Sequence, residues 1–162
     1  MATEPMQPPP PLAPSTPVTI LSFALTTRTR VALPSRWVQE VLSPHALTPM
    51  PGAPSHVSGI AQIGGRPVPV VDLVPFFGLG DGDVPADDEM PRLVLVHSGA
   101  MEVALVGRSV LVEDLDVDEH EVREQMFGER LRPHVQGRVK TRRGVAIVLD
   151  LPSVLEAARV RS

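Results

Sequence analysis

The sequence predicts an all-β chain: two small barrels packed together, with short helices. Three observations carry this: a glycine–glycine hairpin, an internal repeat, and a core-forming composition dominated by valine. In residues 53 to 73, Pro54 and Gly59 bracket a short turn and Ile60 to Ile63 begins an apolar strand. Gly64-Gly65 makes a tight reversal, and Arg66 to Leu73 returns as a second strand ending in Asp72-Leu73. Two glycines between apolar runs signal a hairpin, because primed turns need positive φ and glycine adopts it at little steric cost. Pro67 and Pro69, two apart, turn their missing N–H groups to one side, which is tolerable at a sheet edge or bulge.

The repeat supplies the architecture. Leu21 to Leu33 has a counterpart in Leu93 to Leu105, each a strand, a polar turn and a strand ending in Val-Ala-Leu. Val68 to Leu73 likewise matches Ala146 to Leu151, each behind a glycine–arginine turn and before a short apolar helix. The offset grows from about 72 to about 78 residues, so the second copy carries a small insertion. A unit of hairpin, crossing segment, hairpin and short helix is too small for a sandwich and suits a small barrel.

In chain order, residues 1 to 17 hold seven prolines and a single charge, Glu4, and predict an extended, disordered tail. Pro8 to Pro11 could alternatively dock in an aromatic groove. The tail should be dispensable for folding. Val18 to Leu25 and Thr29 to Leu33 read as a hairpin. Pro34 suits the first turn of a short helix, where its absent donor is not missed, with Trp37, Val38 and Val41 as the apolar face. Residues 78 to 91, rich in glycine, proline and acid, read as a linker. The main domain is therefore 18–158, with halves at roughly 18–77 and 92–158. Residues 116 to 124 form a second polar stretch, either helix or loop.

Hydrophobic residues make up 43% of the 162, but aromatics only 3%, so the core must be Val, Leu, Ile and Ala. Valine favours strands because β-branched side chains fit a pleated surface. The absence of cysteine excludes disulfides, thiolate metal sites and cysteine nucleophiles. No basic region precedes an apolar run at the amino terminus, and no apolar stretch nears the ~18–20 residues that span a bilayer. A cytoplasmic location without direct membrane insertion is expected. A net charge of −4 gives no attraction to nucleic acid. The run of Arg138, Lys140, Arg142 and Arg143 reads as a solvated hairpin, since no aromatics interleave it as a phosphate-backbone groove would require.

Catalytic patterns are missing. His45, His56, His97, His120 and His134 are scattered without a metal-ligand spacing. Gly107-Arg108-Ser109-Val110 lacks the second glycine of a nucleophile elbow. Asp114, Asp116 and Asp118 imitate the start of a calcium loop, but Glu119 replaces its glycine and Gln125 its closing glutamate. Asp72 and Asp150, at equivalent repeat positions, are expected to cap the helices that follow rather than pair as an acid–base couple. No catalytic residue, cofactor or metal is expected.

The ordered set of segments resembles the CheW family of chemosensory coupling proteins. It comprises Val31-Ala32-Leu33-Pro34 with Val38-Gln39-Glu40-Val41, Thr48 to Pro51, the 53–73 window, Arg92 to Ser98, Glu102 to Val106 and Val145 to Leu151. The resemblance runs over about residues 18 to 158. It implies two SH3-like five-stranded barrels sharing an interface, and an adaptor rather than an enzyme. Its implied partners are the regulatory domain of a CheA-like histidine kinase and the cytoplasmic tip of methyl-accepting chemoreceptors. The implied contact residues are Val38, Glu40 and Gly59, with Ile60, Gly64 and Gly65 alongside. The family commonly has arginine where this chain has Gly64 and an acid where it has Gly107. Those losses point to a specialised or parallel chemosensory system. A stand-alone interaction module recruiting a non-kinase client is the alternative.

Overall fold

The computed structural model describes residues 17–79, 90–116 and 130–159. Its strands are β1 (Val18–Ala24), β2 (Arg30–Pro34), β3 (Val38–Leu42), β4 (Val57–Ile63), β5 (Arg66–Val71), β6 (Arg92–Ser98), β7 (Met101–Leu115), β8 (Val135–Thr141) and β9 (Gly144–Leu149). Helix α1 (Leu73–Phe76) follows β5, and α2 (Leu151–Ala158) follows β9. The expected all-β class with short helices is what the chain adopts. The proline-rich tail to residue 16, most of the 78–91 linker and most of 116–124 lie outside the described residues.

Two five-stranded sheets share β7. One runs β7-β1-β2-β9-β8 and the other β3-β6-β7-β5-β4. Residues Met101 to Gly107 pair with β6, and Arg108 to Leu115 with β1, so one long strand passes through both. The second sheet closes on itself: beyond β3, Thr48 and Ile60 exchange two backbone hydrogen bonds of 2.8 Å, joining that end of the sheet to β4.

The sheets are not the two sequence halves. Within residues 18–77 the hairpins β1–β2 and β4–β5 fall in different sheets. β2 instead runs parallel to β9 through Val31↔Ile147 and Ala32↔Val148, and β7 parallel to β5 through Ala104↔Val70 and Leu105↔Val71. β3 pairs with β6, across the same divide. Each half supplies strands to both sheets, so the repeat seen in sequence is an exchanged one in space.

Three apolar clusters follow from this weave. Ile20, Ala32, Val139, Ala146 and Val148 fill the first sheet's interior, and Ala61, Ile63, Val68, Val70, Leu93, Leu95 and Ala104 the second's. A larger cluster, including Leu21, Phe23, Val31, Leu33, Val94, Val96, Leu105 and Leu155, lies between them. Alternate residues of β1, β2, β6 and β7 thus face two different cores. That is why these strands read as continuous apolar runs rather than alternating ones.

The glycine hairpin forms as expected, Ile63 opposite Arg66, with Gly64 at φ 59° and Gly65 at φ 78°. Pro67 and Pro69 lie opposite Gln62 and Ile60, while the ladder from β5 to β7 involves only Val70 and Val71. The missing N–H groups therefore fall before that ladder begins. The aspartates cap as expected: Val74 N donates to Asp72 Oδ1 at 3.0 Å and Ser153 N to Asp150 Oδ1 at 3.5 Å.

The helix expected from Pro34 to Val41 does not form. Pro34 ends β2, Ser35–Trp37 make one 3-10 turn, and Val38 onward is β3. Val38 and Val41 have the branched side chains of strand formers, and β6 offers them a paired edge that helix periodicity alone does not foresee. Trp37 is half-buried against the central cluster as expected, with the Arg36 guanidinium 5.2 Å from its ring centre.

Candidate partner-binding surface

Four of the six sequence-derived residues lie on β3 and on β4 of the second sheet, away from the hairpin turn. Val38 and Glu40 lie on β3, separated by a bulge at Gln39: Val38 opposes Val96 and Glu40 opposes Leu95. The bulge gives the two side chains different duties. Val38 is half-buried against the central cluster, whereas Gln39, Glu40 and Val41 are exposed. Glu40 stands on an edge strand rather than on the helix surface expected for it. β3 pairs only with β6 among the described strands, and Gln39, Glu40 and Val41 face solvent there.

Gly59 and Ile60 reach the same side through Thr48. Gly59 is buried at a bulge in β4, with φ 149°. A Cβ there would stand 2.8 Å from the Thr48 carbonyl oxygen and 3.1 Å from Leu47 Cβ. The residue thus has a structural duty, letting the chain beyond β3 close onto β4. Ile60 is half-exposed beside it. Gly64 and Gly65 sit at the far end of the hairpin, roughly 14 Å from Ile60 at ~3.4 Å per strand residue. They belong to the same hairpin but not to the same contact patch.

The charge pattern at this end is set by Arg66. Its Nε and Nη2 donate to Glu102 at the start of β7, at 3.0–3.1 Å. Both side chains remain partly exposed, at 56% and 24%. Gly107 proves to be no surface position. It is buried, and a Cβ would lie 2.4 Å from Phe23 Cδ2. Phe23 fills the space that a side chain at position 107 would need, so the departure there is accommodated by core packing.

Sequence reasoning missed a second feature. Val41, Val112 and Met90 are exposed apolar residues lining one groove of about 780 Å³ with Pro44 and Val110. The repeat offset of 72 places Val38–Val41 on Val110–Glu113, which was the available signal, but only the strand exchange sets the two equivalents across a groove. Among the described residues, no group of three or more His, Asp or Glu could hold a metal ion. Among the described residues, no helix is long and apolar enough to cross a membrane.

The profile of the CheW-like domain family matches residues 19–159. The chain belongs to the CheW-like domain family. Protein FrzA of Myxococcus xanthus is 33% identical over 82 residues, 51% of this chain and 49% of that protein. The chain thus spans about half the length of the curated relative it matches. The crystal structure of the scaffolding protein TtCheW from Thermoanaerobacter tengcongensis superposes with a TM-score of 0.69 and 24% identity. It covers 86% of this CheW-like chain and 93% of TtCheW, which shows that the fold is shared.

Proposed function

We propose that this CheW-like chain is a non-enzymatic adaptor. It couples the cytoplasmic tips of methyl-accepting chemoreceptors to the regulatory domain of a CheA-like histidine kinase in a cytoplasmic chemosensory array. The observation that carries the reading is the CheW-like match over 19–159, nearly the whole described domain. The geometry supports it: the double sheet presents exposed Glu40 and Val41 on β3, with exposed Leu47 and Met50 in the segment that follows. Such a surface can make apolar and polar contact with a protein partner without any turnover. The Gly64 departure remains the one support for a specialised or parallel system.

The test is titration of the purified chain against an isolated kinase regulatory domain and a receptor-tip fragment, alongside capture from native lysate. Saturable binding to both supports the adaptor. Recovery of neither, with a different client captured reproducibly, assigns the chain to the stand-alone module instead.

A further inference from the structure

Strand β7 serves both sheets, and the point where it crosses carries a strained residue. Ser22 of β1 pairs with Leu111 and Ala24 with Arg108, so Phe23 alone stands opposite both Ser109 and Val110. Two residues against one make a bulge, and a one-residue slip turns every later side chain to the other face. Before the bulge, the odd-numbered Val103 and Leu105 meet the central cluster. After it, the even-numbered Val110 does so, and Val112 pairs with Leu21 of the same cluster. Leu115, odd-numbered, packs instead into the first sheet's interior. The bulge is therefore what turns Val110 and Val112 into the groove that Val41 also lines.

The side chain of Ser109 does not hold the bulge. Ser109 is buried at φ 52°, a conformation that a residue with a Cβ keeps only where its surroundings impose it. Its Oγ is buried without a hydrogen-bond partner among the described residues. The group that is held is its carbonyl, which accepts from Arg30 Nη2 at 2.6 Å. The same guanidinium donates from Nε to Ser22 Oγ at 3.0 Å and from Nη2 to the Ser22 carbonyl at 3.2 Å. Arg30 itself pairs with Ala24 across the β1–β2 ladder. Ser22 and Ala24 are the register partners on either side of the bulge, so one side chain, only 7% exposed, spans it.

We infer that Arg30 is a positioning residue for partner binding: by holding the Ser109 carbonyl it fixes the bulge that aims Val110 and Val112 at the groove. Hydrogen bonds from a charged donor are about twice as strong as neutral ones, which suits a contact that keeps a strained residue in place. Val41 belongs both to the groove and to the exposed β3 surface, so the wall opposite it serves the same protein partner. The binding part of this inference rests on the adaptor reading; the geometric part does not.

The test uses the full chain with labelled valine methyl groups, read by NMR below the melting transition of every variant. Arg30→Met keeps a long side chain and removes the donors. It should shift the Val110 and Val112 signals, while those of Val68 and Val70 in the second sheet's interior stay in place. Binding to the kinase regulatory domain should weaken about tenfold, the loss of one charge-assisted hydrogen bond. Val112→Asp changes an exposed groove residue and should weaken binding too. The double variant should lose less than the two single losses combined, because both act on one wall. Ser109→Gly in the Arg30→Met chain should restore binding, since glycine adopts the positive φ unaided. If Arg30→Met does not fold, Arg30→Lys is read in the same way. A loss confined to a receptor-tip fragment, titrated in parallel, assigns the groove to that partner and keeps the role of Arg30. A wild-type chain that binds neither partner removes the adaptor reading, and the methyl signals then decide alone. A folded Arg30 variant with unmoved Val110 and Val112 signals overturns the inference, as does unchanged binding where Val112→Asp lowers it.

Discussion

Gly107 lies directly beneath Phe23: a Cβ at position 107 would stand 2.4 Å from Cδ2, 2.6 Å from Cγ and 2.9 Å from Cβ of that side chain. Phe23 is fully buried in the cluster between the sheets, and Gly107 sits where β7 leaves one sheet for the other. The only way to admit a side chain is to move the ring. Gly107→Ala should therefore destabilise by about 1–3 kcal/mol, as overpacking does. Gly107→Asp should cost more, since its carboxylate would be buried. Chemical denaturation reads both; an Ala variant with an unchanged midpoint would mean that Phe23 shifts freely.

Glu40 and Gly59 should separate contact from scaffold. Glu40→Ala alters an exposed edge residue, so stability should stay within about 0.5 kcal/mol. Binding to the kinase regulatory domain should weaken if β3 is the interface. Gly59→Asp meets the Thr48 carbonyl and an unfavourable φ, strain of about 1–3 kcal/mol. Thermal melting and titration are read together. A Gly59→Asp protein that melts normally and binds normally would remove Gly59 from both roles.

His134 should make stability depend on pH. Burial lowers its pKa below the ordinary 6.5, outweighing the Asp150 carboxylate, which raises it. Its ring shares a 2.6 Å hydrogen bond with Ser153 on α2. The unfolded chain therefore binds a proton more readily than the folded one. This contribution is fully present above about pH 6.5 and is lost as pH falls through the lower folded value. His134→Asn should flatten that part of the profile in urea titrations between pH 8 and 5. An identical slope in the variant would assign the dependence elsewhere.

The strand exchange predicts that neither half folds alone. A fragment of residues 18–79 retains hairpins β1–β2 and β4–β5, but they pair only with strands of the other half. Isolated hairpins are marginal in water. Circular dichroism should show each fragment largely unfolded, with strand signal returning when the two are mixed. Independent cooperative melting of either fragment would contradict the exchange.

Much of the fold was legible because its signals are local. Gly64-Gly65 announces a hairpin through φ, Asp72 and Asp150 announce caps through the groups they accept from, and the repeated Val-Ala-Leu strands announce a duplicated unit. The candidate surface was legible only in part. Glu40 was identified as an exposed charge, but on the wrong element, because β3 exists through its pairing with β6 and not through its own periodicity. Gly107 looked like a lost surface charge, since nothing near it in sequence reveals Phe23, 84 positions away.

Taken alone, the sequence determined the class, the hairpins, the caps and the duplication. These depend on backbone angles and hydrogen bonds between residues close in the chain. The tertiary structure decided which strands share a sheet, which glycines are packing positions, and where Arg30 and Ser109 meet. Those outcomes rest on the burial of two faces of the same strands at once. Ala32 can fill one sheet's interior while Val31 and Leu33 fill the space between sheets only if β9 arrives from the other half to pair with β2. No local pattern encodes the partner that burial selects.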